Sequence, residues 1–172
     1  MPNTQFMARI RWRIFVVDFC ILWLFMFSFQ SFAYLTNVNL SEGIRLHQIH
    51  KDNLYGADHA QYLSDLSVSL FLFRFIGILI GLILSIYVSN RRKIPWIDSL
   101  IPFAVVLILG LFNLLGWKQL KQIFLLPGEL FDGTLYYLTN GFIMLALGVG
   151  LLYLKKSLTS RTTNMEEQLH HA

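Results

Sequence analysis

At 172 residues, with 55% apolar and 15% aromatic side chains and only 14% charged ones, the chain is too apolar for an ordinary soluble domain and too short to expect more than one. Its formal charge of +4 is dispersed in short basic groups with no recognition motif beside them, which argues against nucleic acid as a partner. Cys20 is the only cysteine, so neither an intrachain disulfide nor a cysteine-based zinc site can form.

Residues 1–13 read as a basic tail carrying Arg9, Arg11 and Arg13. The apolar run that follows, about 14–36, meets the requirement of about 20 residues for a transmembrane helix. Its Arg-rich start and the small residues Ser31 and Ala33 also suit a cleavable signal peptide, yet the run exceeds the roughly 7–15 apolar residues of such peptides and is interrupted by Asp18 and Trp23.

Residues 37–65 then form an expected external loop. It contains His47 and His50, spaced to share a helical face, followed by Asp58 and His59 after Gly56. Imidazoles with a carboxylate suit zinc or copper, and these four residues are the only candidate metal site; no other cofactor is expected. The glutamate-bearing pattern of metalloprotease helices is missing, and a solvated, partly helical loop explains the segment as well. Asn39-Leu40-Ser41 matches a glycosylation acceptor but lies too close to the membrane to be read as one.

A second span covers about 66–89 and contains Arg74 with Gly77, Gly81 and Ser85 on one helical stripe, a small-xxx-small seam for close helix approach. Arg91, Arg92 and Lys93 fill the short connection to a third span at about 97–116. Residues 117–133 return as an external loop in which Trp117, Leu120, Ile123 and Phe124 cluster on one face of a short interfacial helix ended by Pro127-Gly128. The fourth span, about 134–154, repeats glycine at a heptad interval, Gly141 and Gly148, a second packing seam. Residues 155–172 read as a polar, flexible tail.

Basic residues cluster before the first span, between the second and third, and after the fourth, so both termini are expected in the cytoplasm, with the protein in the plasma (inner) membrane. The expected fold is thus all-α: an integral membrane four-helix transmembrane bundle over 14–154.

A charge in hydrocarbon costs about 2.5–3.5 kcal/mol at a helix centre and calls for a partner. Measured from span midpoints at 1.5 Å per residue, Arg74 lies about 5 Å to the external side of centre, with Gln30, Asn140 and Asn113 about 7, 6 and 10 Å to the same side. Asp18 and Asp98 fall about 11 and 13 Å toward the cytoplasm, beyond direct reach of Arg74 and near Arg13 and the Arg91–Lys93 group, with which interfacial pairing is expected. Arg74, Gln30, Asn113 and Asn140 therefore form an expected polar layer, either a clasp that fixes helix rotation or the lining of an outward-facing site for an anion.

The chain lacks a Gly-rich phosphate loop, a Gly-x-Ser-x-Gly elbow and an intrahelical Glu-x-x-His pair. The leading functional expectation is an accessory, structural or assembly subunit, with the lipid bilayer and either a membrane protein or a second copy as partners. The alternatives are a binding or permeation module for an anionic or lipid ligand at the Arg74 layer and, behind it, an external metal-dependent membrane enzyme.

Overall fold

The structure, a computed structural model, describes residues 12–36, 57–91, 97–111, 130–131 and 134–170, with side chains described for 12–36, 64–91, 97–110, 130–131 and 134–157. It is all-α. The helices are α1 (Trp12–Thr36), α2 (Ala57–Arg91), α3 (Ile97–Leu111) and α4 (Thr134–His170). Three carry stretches long and apolar enough to cross a membrane: Trp12–Thr36, Ser64–Arg91 and Thr134–Ser157. The apolar part of α3, Ile97–Gly110, is shorter, and the rest of the expected third span, residues 112–116, lies outside the described residues.

α1 contains neither glycine nor proline and is apolar around its whole circumference, the pattern of a helix enclosed by others. It packs against all three of its neighbours, most extensively α2 and α4. Just over half of its most apolar window is buried, 56%, against 28% for α2 and for α4, so α1 is the axis of the bundle. Two of its hydroxyls turn back on its own backbone, Ser31 Oγ to Phe27 O at 3.0 Å and Thr36 Oγ1 to Ala33 O at 2.9 Å. Each bond satisfies a hydroxyl within the helix itself.

Two helices run further than their apolar windows. α2 begins at Ala57, directly after Gly56, and so includes Asp58 and His59 and the stretch to Asp65 that the sequence places in the loop. α4 continues to His170 where a flexible tail is expected. No glycine or proline follows Gly150, and adding a residue to an existing helix fixes one residue per hydrogen bond gained, without the cost of a new nucleus. α3 starts just after Pro95, which disfavours helical backbone in the residue before it, and carries Asp98 in its first turn, where a carboxylate complements the helix dipole.

The core is built on the aromatic ridge of α1. One cluster joins Leu22, Met26 and Phe27 to Ile78, Val106 and Met144; a second joins Ile21 and Phe25 to Leu152. Glycines make this closeness possible. A Cβ at Gly77 would fall 2.6 Å from the Phe25 carbonyl oxygen, and one at Gly148 would fall 2.8 Å from the Phe25 ring. One at Gly141 would meet the Phe32 ring at 2.5 Å, while Gly81 is less tight at 3.3 Å from Leu22 and Phe25. Both glycine seams thus face α1 of the same chain, where backbone approach replaces the hydrophobic drive that lipid does not supply.

Candidate functional site: two polar layers

The first layer lies at the end of the bundle where α1 and α3 begin. Asp18, on the second turn of α1, is fully buried, and Lys155 of α4 is 1% exposed. Lys155 Nζ lies 2.7 Å from Asp18 Oδ1 and 2.9 Å from Oδ2. Ser85 Oγ of α2 donates to Asp18 Oδ1 at 2.7 Å, and Ser99 Oγ of α3 donates to Oδ2 at 3.0 Å. The ammonium also donates to Ser85 Oγ at 2.7 Å and lies 3.3 Å from both Ser85 O and Ser99 Oγ. Ser89, one turn beyond Ser85, shares a hydrogen bond with Ser99 at 3.3 Å. A carboxylate, an ammonium and three hydroxyls, drawn from all four helices, thus satisfy one another away from solvent.

This arrangement corrects two expectations. Asp18 does not pair with Arg13: residues five apart point to different sides of a helix, and Arg13 is exposed while Asp18 faces the bundle centre. Lys155 is no surface flank. Ser85, expected on a packing seam beside Gly77 and Gly81, does continue that stripe, but its hydroxyl enters the ionic cluster. Measured from the midpoints of the spans expected over 14–36, 66–89 and 97–116, Asp18, Ser85 and Ser99 all fall about 11 Å toward the same end, a coincidence that marks the layer once hydroxyls are counted with the charges. Asp98 sits next to Ser99, half-buried in the first turn of α3.

The second layer lies 11 residues further back along α2, about 16 Å. Here Arg74 Nε donates to Gln30 Oε1 at 3.0 Å. Gln30 is 8% exposed, and Arg74 is half-buried. The crevice beside Arg74, lined by Phe71, Phe75, Ile78, Leu107 and Gly110, has a volume of about 10 Å³. One water needs about 10–15 Å³, so this crevice holds at most one water and is too small for a carboxylate or a headgroup.

Asn140 lies at the same level, because its neighbour Gly141 accepts a 2.8 Å hydrogen bond from Ser28 Oγ, two residues before Gln30. It is 1% exposed, and neither its amide nitrogen nor its amide oxygen meets a partner among the described residues. The structure therefore joins Arg74 to Gln30 and leaves Asn140 outside that bond. Close by in sequence, Tyr34 and Tyr137 stack at 4.7 Å between ring centroids and tie α1 to α4.

Asn113, His47 and His50 lie outside the described residues, as does the interfacial segment from Trp117 to Phe124. Asp58 and His59 belong to the first turn of α2, and nothing is described of their side chains. Among the described residues no group of three or more His, Cys, Asp or Glu is placed to hold a metal ion.

The chain matches no protein-family model, no curated protein and no solved structure.

Proposed function

We propose that the chain is a small integral membrane protein that acts through contacts, as an accessory, structural or assembly subunit of a larger complex in the plasma (inner) membrane. One observation carries this reading. The buried charges are turned on each other inside the bundle, while the outward faces of α2 and α4 present large apolar side chains such as Phe71, Ile83, Phe142 and Leu147. An apolar exterior of that extent suits lipid or another membrane protein, and an interior whose charges are mutually satisfied suits a rigid element. Arg74 is then a clasp between α1 and α2, with the 10 Å³ crevice beside it supporting a structural role.

In this reading α3 is the fourth crossing, and the starts of α1 and α3 lie in the cytoplasmic leaflet together with residues 89–91 and 155–157, as the basic flanks favour. α1 is retained rather than removed as a signal peptide. Its loss would leave Lys155 buried without its carboxylate and strip the core of Phe25. The intact mass of the mature protein checks this, since a shortened chain would overturn it. For orientation, single cysteines at Ser157 and Ser41 in a Cys20→Ser background should react from the cytoplasmic and the external side respectively; the reverse pattern refutes it. Mild-detergent purification from the native membrane should bring down a polytopic protein in stoichiometric amount. A clean monomer with no protein attached would sink the subunit reading.

A further inference from the structure

Between α2 and α4, at the end of the bundle that holds the ionic layer, a groove of about 460 Å³ opens on the outer surface. That volume lies within the roughly 300–1,000 Å³ of ligand sites. Its chemistry changes along its length. Val149 and Leu152 of α4 line the deeper part, with Leu152 belonging to the apolar core around Phe25. Tyr153 follows on α4 and the adjacent Tyr87 and Val88 on α2, and Arg91 and Lys156 stand at the end. No acidic residue is among these lining residues. The Arg91 guanidinium carbon sits 5.1 Å from the centroid of the Tyr87 ring, a contact that orients the cation.

We propose that this groove holds an anionic phospholipid, its first acyl methylenes against Val149 and Leu152 and its phosphate between Arg91 and Lys156. The ordering along α4, Val149 and Leu152, then Tyr153, then Lys156, matches the ordering of acyl chain, glycerol and phosphate in a leaflet. Two cations without a carboxylate on the wall select a net negative headgroup over a zwitterionic one. The apolar floor distinguishes a lipid from free phosphate, which has nothing to place there. Lys155, the neighbour of Lys156, is already bound to Asp18, so the ionic layer and the lipid site use different charges at nearly the same depth. The inference takes from the reading above only that this end lies at a headgroup region; it stands whether or not a protein partner is found.

Native mass spectrometry of the full-length protein, titrated with phosphatidylglycerol or phosphatidylcholine in mild detergent, tests it. Phosphatidylglycerol should be retained one to one and phosphatidylcholine lost. Arg91→Gln with Lys156→Gln should weaken retention about thirtyfold, from about fivefold per basic contact. Val149→Trp should also reduce it, by filling the apolar part with both cations intact. Diffuse attraction to a basic membrane end would survive Val149→Trp, so an unchanged value there overturns the proposal. Equal retention of the two lipids overturns it as well, as does displacement of phosphatidylglycerol by soluble glycerol phosphate at comparable concentration, which would indicate a phosphate site.

Discussion

At one end of the bundle a carboxylate and an ammonium meet among three hydroxyls, with every helix contributing; about 16 Å along α2, a guanidinium meets one amide oxygen, with only two helices contributing. The first layer is closed, with both of its charges buried, so each charge depends on the other. The second is half-open, and its long arginine side chain can carry the charge toward the interface if its partner is lost. Two charged layers in one bundle should therefore differ in how much of the fold depends on them.

The largest effect is expected at the closed layer. Lys155→Met alone, or Asp18→Leu alone, leaves one buried charge without its counter-charge and should cost about 3–5 kcal/mol of stability, read as loss of folded protein in a detergent denaturation series. The double variant removes both charges, leaving only hydroxyls that can bond among themselves, and should recover most of that loss. Coupling in this cycle is the diagnostic quantity. If the double variant is as unstable as the sum of the singles, the pair is not acting as a unit and the ionic layer does not lock the bundle.

Next come the glycines that let the helices reach the layers at all. Gly77→Ala forces a methyl group toward the Phe25 carbonyl, a backbone atom that cannot rotate away. Overpacking costs of about 1–3 kcal/mol should outweigh the roughly 1 kcal/mol that alanine gains over glycine in a helix. Gly150 has nothing within 4 Å of an added Cβ, so Gly150→Ala should be neutral or slightly stabilising. Equal responses at the two positions, followed by thermal unfolding, would mean that α1 and α2 are not in backbone contact.

A smaller response is expected at the open layer. Arg74→Gln removes a charge along with its hydrogen bond, and the relief of the first offsets the loss of the second, leaving a net change below about 1.5 kcal/mol. Gln30→Leu keeps the charge and should cost more than Arg74→Gln, because the guanidinium must then find water by moving outward. A loss at Arg74→Gln as large as that at Lys155→Met would erase the contrast between the layers and point to a further partner of Arg74.

What the sequence discloses about these layers depends on the kind of signal each emits. Spans are legible because lipid requires long apolar runs, and Arg74 stands out because it interrupts one. Its match to Gln30 follows from depth alone, since no charged residue near either of them in sequence offers a competing partner. The helix over residues 57–65 and the helix beyond Lys155 carry no such signal, because a polar helix outside lipid has the composition of a loop. Asp18 is harder still. Basic residues nearby in sequence offer obvious partners, whereas its true partner lies 137 residues away and looks like an ordinary flank of the last span. Ser85 and Ser99 give the layer away only when neutral hydroxyls are placed on the same depth scale as the charges.

Asn140 sharpens the comparison from the other side. It shares the level of Gln30 and is as buried as Lys155, yet its amide meets no partner among the described residues, whereas every polar group described around Asp18 is engaged. A buried amide left unpaired costs about 1–3 kcal/mol, so replacing it by an apolar side chain removes a penalty while adding some crowding beside the tight contact of Gly141 with Phe32. Asn140→Leu should accordingly change stability by less than about 1 kcal/mol, with the balance on the stabilising side. A loss above about 2 kcal/mol in the same unfolding assay would show that the amide is engaged after all, and would make the open layer a three-helix network instead of a two-helix clasp.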